Sequence, residues 1–443
     1  MKSLKFLAVA ALAATVGHSA FATTYINITG STAYRTATLA AIAANYTLGA
    51  LPLVSGGGTG NDTTFAGVNA NTSFIFEGGN VSGTACTVRC TFTGSQTGVA
   101  SVAGSYTNIP FLPDGSSGVT NNASTYDDAV GSIPHSGYPQ GIADFCMSDV
   151  YQGTTAFNGN VTLASGSTIN FKSLTDKGPV ALVTFKWVAS TGFPVGTGTT
   201  GTQSIVSSVN VEPYFLQSLM ANGIAPLSQA TGNAGDKTVE IYLTGRNPDS
   251  GTRGTALSDT NYGNLTAVQQ YQQTALTGLT VTAQQLYPIA TIAGLSTNSA
   301  GNSGEASGAN LRTYMTYTLS TSASVTGNSP TACYYLTYLG IGDAGKVEGT
   351  SNGGGVELAY KGVNYSNAAI YSGQYTFWSY EHLYERSNIA NPAKLLASNM
   401  ATTIKGLPTS NAAIAGVGIS ASDPNLLVTR IGDGAYIVPN FSF

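Results

Sequence analysis

The sequence predicts an α/β fold with mixed, mostly parallel sheets. Three observations carry this expectation: apolar strand-like segments alternate with helix-like ones, Gly/Ser/Thr turns join them, and 443 residues are enough for more than one core.

Taken in order, Tyr25-Ile26-Asn27-Ile28 alternates as a strand does, and Gly30-Ser31-Thr32 turns into Ala33 to Ala44, a run of good helix formers. From Leu48 to Asn80 the chain is rich in Gly, Asn and Thr and reads as a loop-rich insertion. Strands are expected at Ser73 to Phe76, Cys86 to Phe92 and Val180 to Val188, the last after the turn signal Lys177-Gly178-Pro179. Val211 to Asn222 has an amphipathic pattern ending at Gly223, which suits a helix and its stop. Val239 to Leu243 reads as a strand and Cys333 to Leu339 as a buried apolar segment. Tyr375 to Tyr380 and Leu426 to Val438 look like strands, with Asn391 to Thr403 a helix between them. No fixed-period repeat is present.

The N-terminus has the pattern of an export signal, residues 1–22. Lys2 and Lys5 give the positive end, Phe6 to Val16 the apolar stretch, and Ala20-Phe21-Ala22 the small-residue cleavage site. Its apolar run is too short to span a bilayer, so the expected product is a periplasmic, secreted or cell-surface protein of 421 residues that does not itself span a membrane. The whole chain has 17 Lys+Arg against 21 Asp+Glu, and loss of Lys2 and Lys5 takes the net charge from −4 to −6. That balance leaves no basic stripe for nucleic acid. In an oxidising compartment, Cys86 and Cys90 are candidates for a small disulfide loop, with Cys146 and Cys333 completing an even set. Zinc is the weaker alternative for these thiols, and neither a metal site nor a cofactor is expected.

Three turns carry the chemistry. Gly30-Ser31-Thr32, between a strand and a helix, aims unpaired amides and hydroxyls at one point, as an anion requires; a serine at a helix start is also an ordinary N-cap. Gly94-Ser95-Gln96-Thr97-Gly98 repeats the arrangement before the small-residue run Val99 to Ala103. Arg246-Asn247-Pro248-Asp249-Ser250-Gly251-Thr252-Arg253 joins two guanidinium groups to a Ser-Gly-Thr helix start, so that a fork of N–H donors and a set of amides can grip two faces of one oxyanion. Ile142 to Asp149 reads as a strand ending in Ser148 and Asp149.

In the order and wording of five segments, Ile28 to Arg35, Phe92 to Gly98, Asp144 to Asp149, Arg246 to Thr252 and Tyr375 to Tyr384, the chain resembles the phosphate-binding components of ABC importers, within the periplasmic-binding type II superfamily. The resemblance implies a two-lobed fold with a cleft between lobes, lobe 1 at 23–188 plus 345–443 and lobe 2 at 189–344. It implies capture of phosphate or a related oxyanion, with no catalysis, for an inner-membrane ABC permease. Carried onto matching positions, it implies ligand contacts from Ser31, Thr32, Ser95, Asp149, Arg246, Ser250, Gly251 and Thr252, with Arg253 matched in some relatives. One departure stands out: phosphate binders often place an aspartate two residues after this arginine to accept the ligand's proton. Here Pro248 stands there, followed by Asp249, which leaves Asp149 as the family-matched acceptor.

Two rival functions also fit the composition. A surface or matrix protein reusing the fold would account for the low charge and long polar loops. An exported serine hydrolase would use Gly349-Thr350-Ser351-Asn352-Gly353 with His382, although polar residues and glycines flank that pentapeptide where an elbow needs a buried strand and a helix. Gly340 to Val347 has the glycine and lysine spacing of a P-loop but lacks its Ser/Thr, and His382 itself reads as a packed residue at a strand end.

Overall fold

The structure is a computed structural model and describes residues 24–48, 73–104, 109–114, 138–162, 166–194, 209–292, 295–297, 299–348 and 354–440. The export signal, most of the 48–80 insertion and the Gly349–Gly353 pentapeptide lie outside them.

The architecture is α/β. In chain order the elements that build it are β1 (Tyr25–Gly30), α1 (Arg35–Asn45), β2 (Ser73–Val81), β3 (Thr84–Thr91), α2 (Ser95–Gly104), β4 (Phe145–Ser148), β5 (Thr175–Ala189), α3 (Pro213–Asn222) and β6 (Val239–Leu243). There follow α4 (Gly251–Asp259), α5 (Gly308–Met315), β7 (Ala332–Gly340), α6 (Ile341–Glu348), β8 (Val356–Tyr360), β9 (Trp378–Glu385) and α7 (Ala393–Lys405). The small-residue run after Ser95 is helical because Val99, Ala100, Val102 and Ala103 can all be buried against neighbouring elements without bulk.

One mixed sheet runs through both halves of the molecule. On one side β1 lies parallel between β3 and β4, and β9 pairs antiparallel with β4. On the other side β6 runs parallel to β7. The long strand β5 joins them: Thr175 to Thr184 pair with β9, whereas Phe185 to Ala189 pair with β7. Every residue of β5 from Val180 onward is buried, which fits a mostly apolar run that must pack on both faces. At the passage between the halves Trp187 is fully buried and stacks on Phe377 at 5.4 Å. Burying an aromatic side chain of this kind stabilises by roughly 1.5–3 kcal/mol.

Two expectations need correction. The segment Leu426 to Val438 is not a strand: only Val428–Thr429 and Val438–Pro439 pair, and between them Ile431 and Tyr436 are 88% and 93% exposed. What anchors the segment is polar, Arg430 donating to the carbonyls of Thr376 and Trp378, and Asp433 accepting from Tyr151 N and Thr154 Oγ1. The cysteines are all free and buried. Cys86 and Cys90 lie four residues apart on β3, and a strand carries such a pair about 13 Å apart, far beyond disulfide reach.

Two competing motifs resolve into ordinary structure. Gly340 to Val347 ends one strand and passes directly into α6, with no loop to wrap a phosphate chain. His382 pairs through Nδ1 with Asp176 at 2.8 Å and stacks on Tyr384, which makes it a packed residue of β9.

Candidate functional site

Two of the turns are placed by glycines in a conformation that side-chain-bearing residues rarely adopt. Gly30 and Gly94 both have φ of +119°, a conformation strained for side-chain-bearing residues. A Cβ on Gly30 would sit 1.9 Å from the Met147 carbonyl oxygen, and one on Gly94 would sit 2.4 Å from that of Asp249. These close approaches bring the starts of α1 and α2, the end of β4 and the turn before α4 to one place.

Ser31 is fully buried, and its Oγ accepts from Tyr34 N at 3.2 Å. Ser95 Oγ donates to the Asp149 carboxylate in a short hydrogen bond and accepts from Asp149 N at 3.2 Å. From the opposite half, Arg246 Nη2 reaches Thr32 Oγ1 at 3.3 Å, and Thr255 Oγ1 donates to the Asp149 carbonyl at 3.2 Å. Gly251, the first residue of α4, faces Asp149 so closely that a Cβ there would lie 1.6 Å from Oδ1 and 2.8 Å from Ser95 Cβ. Ser250 caps α4, its Oγ accepting from Arg253 N, and Thr252 is buried in the first turn.

The two arginines differ in how they are held. Arg246 donates from Nε to the Glu305 carbonyl at 2.9 Å and from Nη2 to that of Ala306 at 2.8 Å, which fixes its fork beside Thr32. Arg253 turns away: Nη1 donates to the carbonyls of Arg246 and Asn302, and Nη2 to Asn302 Oδ1. Its guanidinium therefore braces the turn that carries Arg246.

Burial governs the electrostatics. It pushes the Asp149 carboxyl up to about 6, against the opposing pull of the Ser95 hydrogen bond and the positive charge of Arg246. Arg246 is drawn down from its ordinary value by the same burial. The helix starts add amides without acceptors in their own helices, and the positive ends of three helix dipoles. The Ser95 hydroxyl and the start of α4 thus meet at the Asp149 carboxyl, with the Arg246 charge acting on it from the opposite half, a set whose chemistry suits an oxyanion carrying a proton. Among the described residues no three His, Cys, Asp or Glu side chains converge as metal ligands.

Sequence reasoning missed three polar groups here. Gln96 spans the halves, its N donating to the Asp249 carbonyl at 3.0 Å and its Nε2 to that of Pro248 at 2.9 Å. Glu381 on β9 and the Tyr34 hydroxyl are buried beside the cleft. A lone acid within the aromatic segment Tyr375 to Tyr384 was the available signal for Glu381.

No known protein-family profile matches the chain, and neither does any curated protein. Among solved structures it is similar to a putative phosphate ABC transporter substrate-binding protein with bound phosphate from Clostridium perfringens, at 10% identity over 90% of this chain and 99% of that one, with a TM-score of 0.39. It is similar also to an ABC-type phosphate transport receptor from Vibrio cholerae, at 12% identity over 86% and 96% of the two chains and a TM-score of 0.38. A third is PstS from Borrelia burgdorferi, at 10% identity over 85% and 92%, with a TM-score of 0.32.

Proposed function

We propose that this chain is an exported solute-binding protein that closes two lobes on phosphate or a similar oxyanion and presents it to an inner-membrane ABC permease. Lobe 1 comprises 23–188 plus 345–443 and lobe 2 comprises 189–344, with β5 crossing between them. The observation that carries the reading is the meeting of Gly251 and Arg246 from one half with Ser95, Asp149 and Thr32 from the other.

An anion held there touches both lobes only when they are closed, and that difference in contacts is what shifts the population from open to closed. Ser31, Thr32, Ser95, Ser250, Gly251 and Thr252 supply hydroxyls and amides, Arg246 the charge, and Asp149 accepts the ligand's proton. Arg253 acts indirectly by fixing the carbonyl of Arg246. Binding needs no covalent step, so the chain acts as a carrier and not as an enzyme.

Titration calorimetry with phosphate, sulfate, arsenate and molybdate tests this. Binding of at least one of them, with a single site per chain, is expected; heat from none of them ends the proposal.

A further inference from the structure

Glu381 is fully buried in the middle of β9, and neither of its carboxyl oxygens has a hydrogen-bond partner among the described residues. An unpaired acid in the interior is costly, so its retention asks for a role. Its neighbours are informative: the Ser31 hydroxyl lies beside it, the Asp149 carboxyl raises its pKa, and the buried Tyr34 hydroxyl, which also has no described partner, feels its charge. Ser31 and Tyr34 belong to the turn that starts α1.

We propose that Glu381 is a positioning residue of the oxyanion cleft, its carboxyl holding Ser31 Oγ so that the serine turns its own proton toward the bound anion. The proposal rests on the oxyanion reading given above.

The donor and acceptor capacity of a hydroxyl makes the argument. A serine Oγ accepts two hydrogen bonds and donates one. Tyr34 N already fills one acceptor position at 3.2 Å. Burial and the nearby Asp149 push Glu381 well above the ordinary carboxyl range, against a lowering contribution from the Ser31 hydroxyl, and the net rise favours the neutral acid with an O–H to donate. When that O–H fills the second acceptor position, the Ser31 proton is left one direction, the cleft. An ionised carboxylate would do the reverse and draw the proton away from the anion.

The test is a double-mutant cycle read by calorimetry with phosphate, and with sulfate as a second probe. Glu381→Leu is expected to weaken binding about tenfold, the size of one hydrogen bond to a charged group. Glu381→Gln retains an N–H donor and should stay within about threefold of wild type. In a Ser31→Ala background Glu381→Leu should cost nothing further, because the two residues act through one hydrogen bond. Equal losses from Glu381→Leu in both backgrounds, or a Gln variant as damaged as the Leu one, would overturn the proposal while leaving the cleft reading intact. A wild-type protein that binds neither probe would instead remove the cleft reading itself. Retained far-UV circular dichroism checks the fold of the Leu variant.

Discussion

Arg246 and Asp149 are the charged residues on which the proposed cleft turns. Arg246→Ala should weaken oxyanion binding at least tenfold, since losing a desolvated charged donor costs more than about 1.4 kcal/mol. Arg246→Lys should lie between, because a lysine keeps the charge but cannot keep both the Glu305 carbonyl and the Thr32 hydroxyl in one fork. Calorimetry on the three proteins gives the ranking. Asp149 makes a separate prediction about stability. Its folded-state value of about 6 lies above the ordinary 3.8, so its proton is bound more tightly in the native protein than in the unfolded chain. The stabilisation is complete below about pH 3.8 and is lost as pH rises through about 6. Asp149→Asn should therefore match wild type in urea unfolding at low pH and exceed it near pH 7.5 by on the order of 2–3 kcal/mol. In binding the sign reverses for a protonated ligand, which loses its acceptor.

At the scale of elements, α4 is set into the cleft by its first residue. Gly251 has ordinary helical geometry, so alanine there suits the helix itself. What it does not suit is closure, because its Cβ would meet Asp149 Oδ1 at 1.6 Å. Gly251→Ala should abolish or strongly weaken oxyanion binding while leaving thermal stability near wild type, and small-angle scattering should show a more open molecule that ligand does not compact. Wild-type affinity in this variant would mean that α4 does not approach Asp149. Such local features were readable in advance: Gly30-Ser31-Thr32, Gly94-Ser95 and Arg246 to Thr252 announce themselves because turn and cap chemistry lies within a few neighbouring residues. Gln96, Tyr34 and Glu381 did not, since their meaning depends on partners far along the chain. The Leu426 to Val438 segment misled for a related reason. Its apolar letters suggested a strand, yet Ile431 and Tyr436 face solvent and two polar anchors, Arg430 and Asp433, hold the segment down. The α/β alternation itself survived because strand β6 and the β5 run are mostly apolar over their buried lengths, with Glu240, Thr184 and Lys186 as the polar exceptions.

Across the whole molecule, the cysteines report on how a chain with so few charges and no disulfide keeps its shape. Cys86, Cys90, Cys146 and Cys333 are the chain's full set, and each is at most 5% exposed. Burial pushes the thiols up, Cys333 to about 12, so thiolate, the reactive form, is scarce as well as inaccessible. They sit on β3, β4 and β7, in both halves of the sheet, so labelling all four demands local opening of three strands. The native protein should thus take up no maleimide over hours at neutral pH, and four equivalents once unfolded in guanidinium, read by intact mass. Saturating oxyanion should slow the labelling of Cys146 more than that of Cys86, because β4 ends at Ser148, next to Asp149, whereas Cys86 lies at the far end of β3. Reducing agent should leave the melting temperature unchanged, as no cross-link contributes to it. Rapid native labelling of Cys146 would show that β4 is not packed as described, and a fall in melting temperature on reduction would show that the cysteines are not all free.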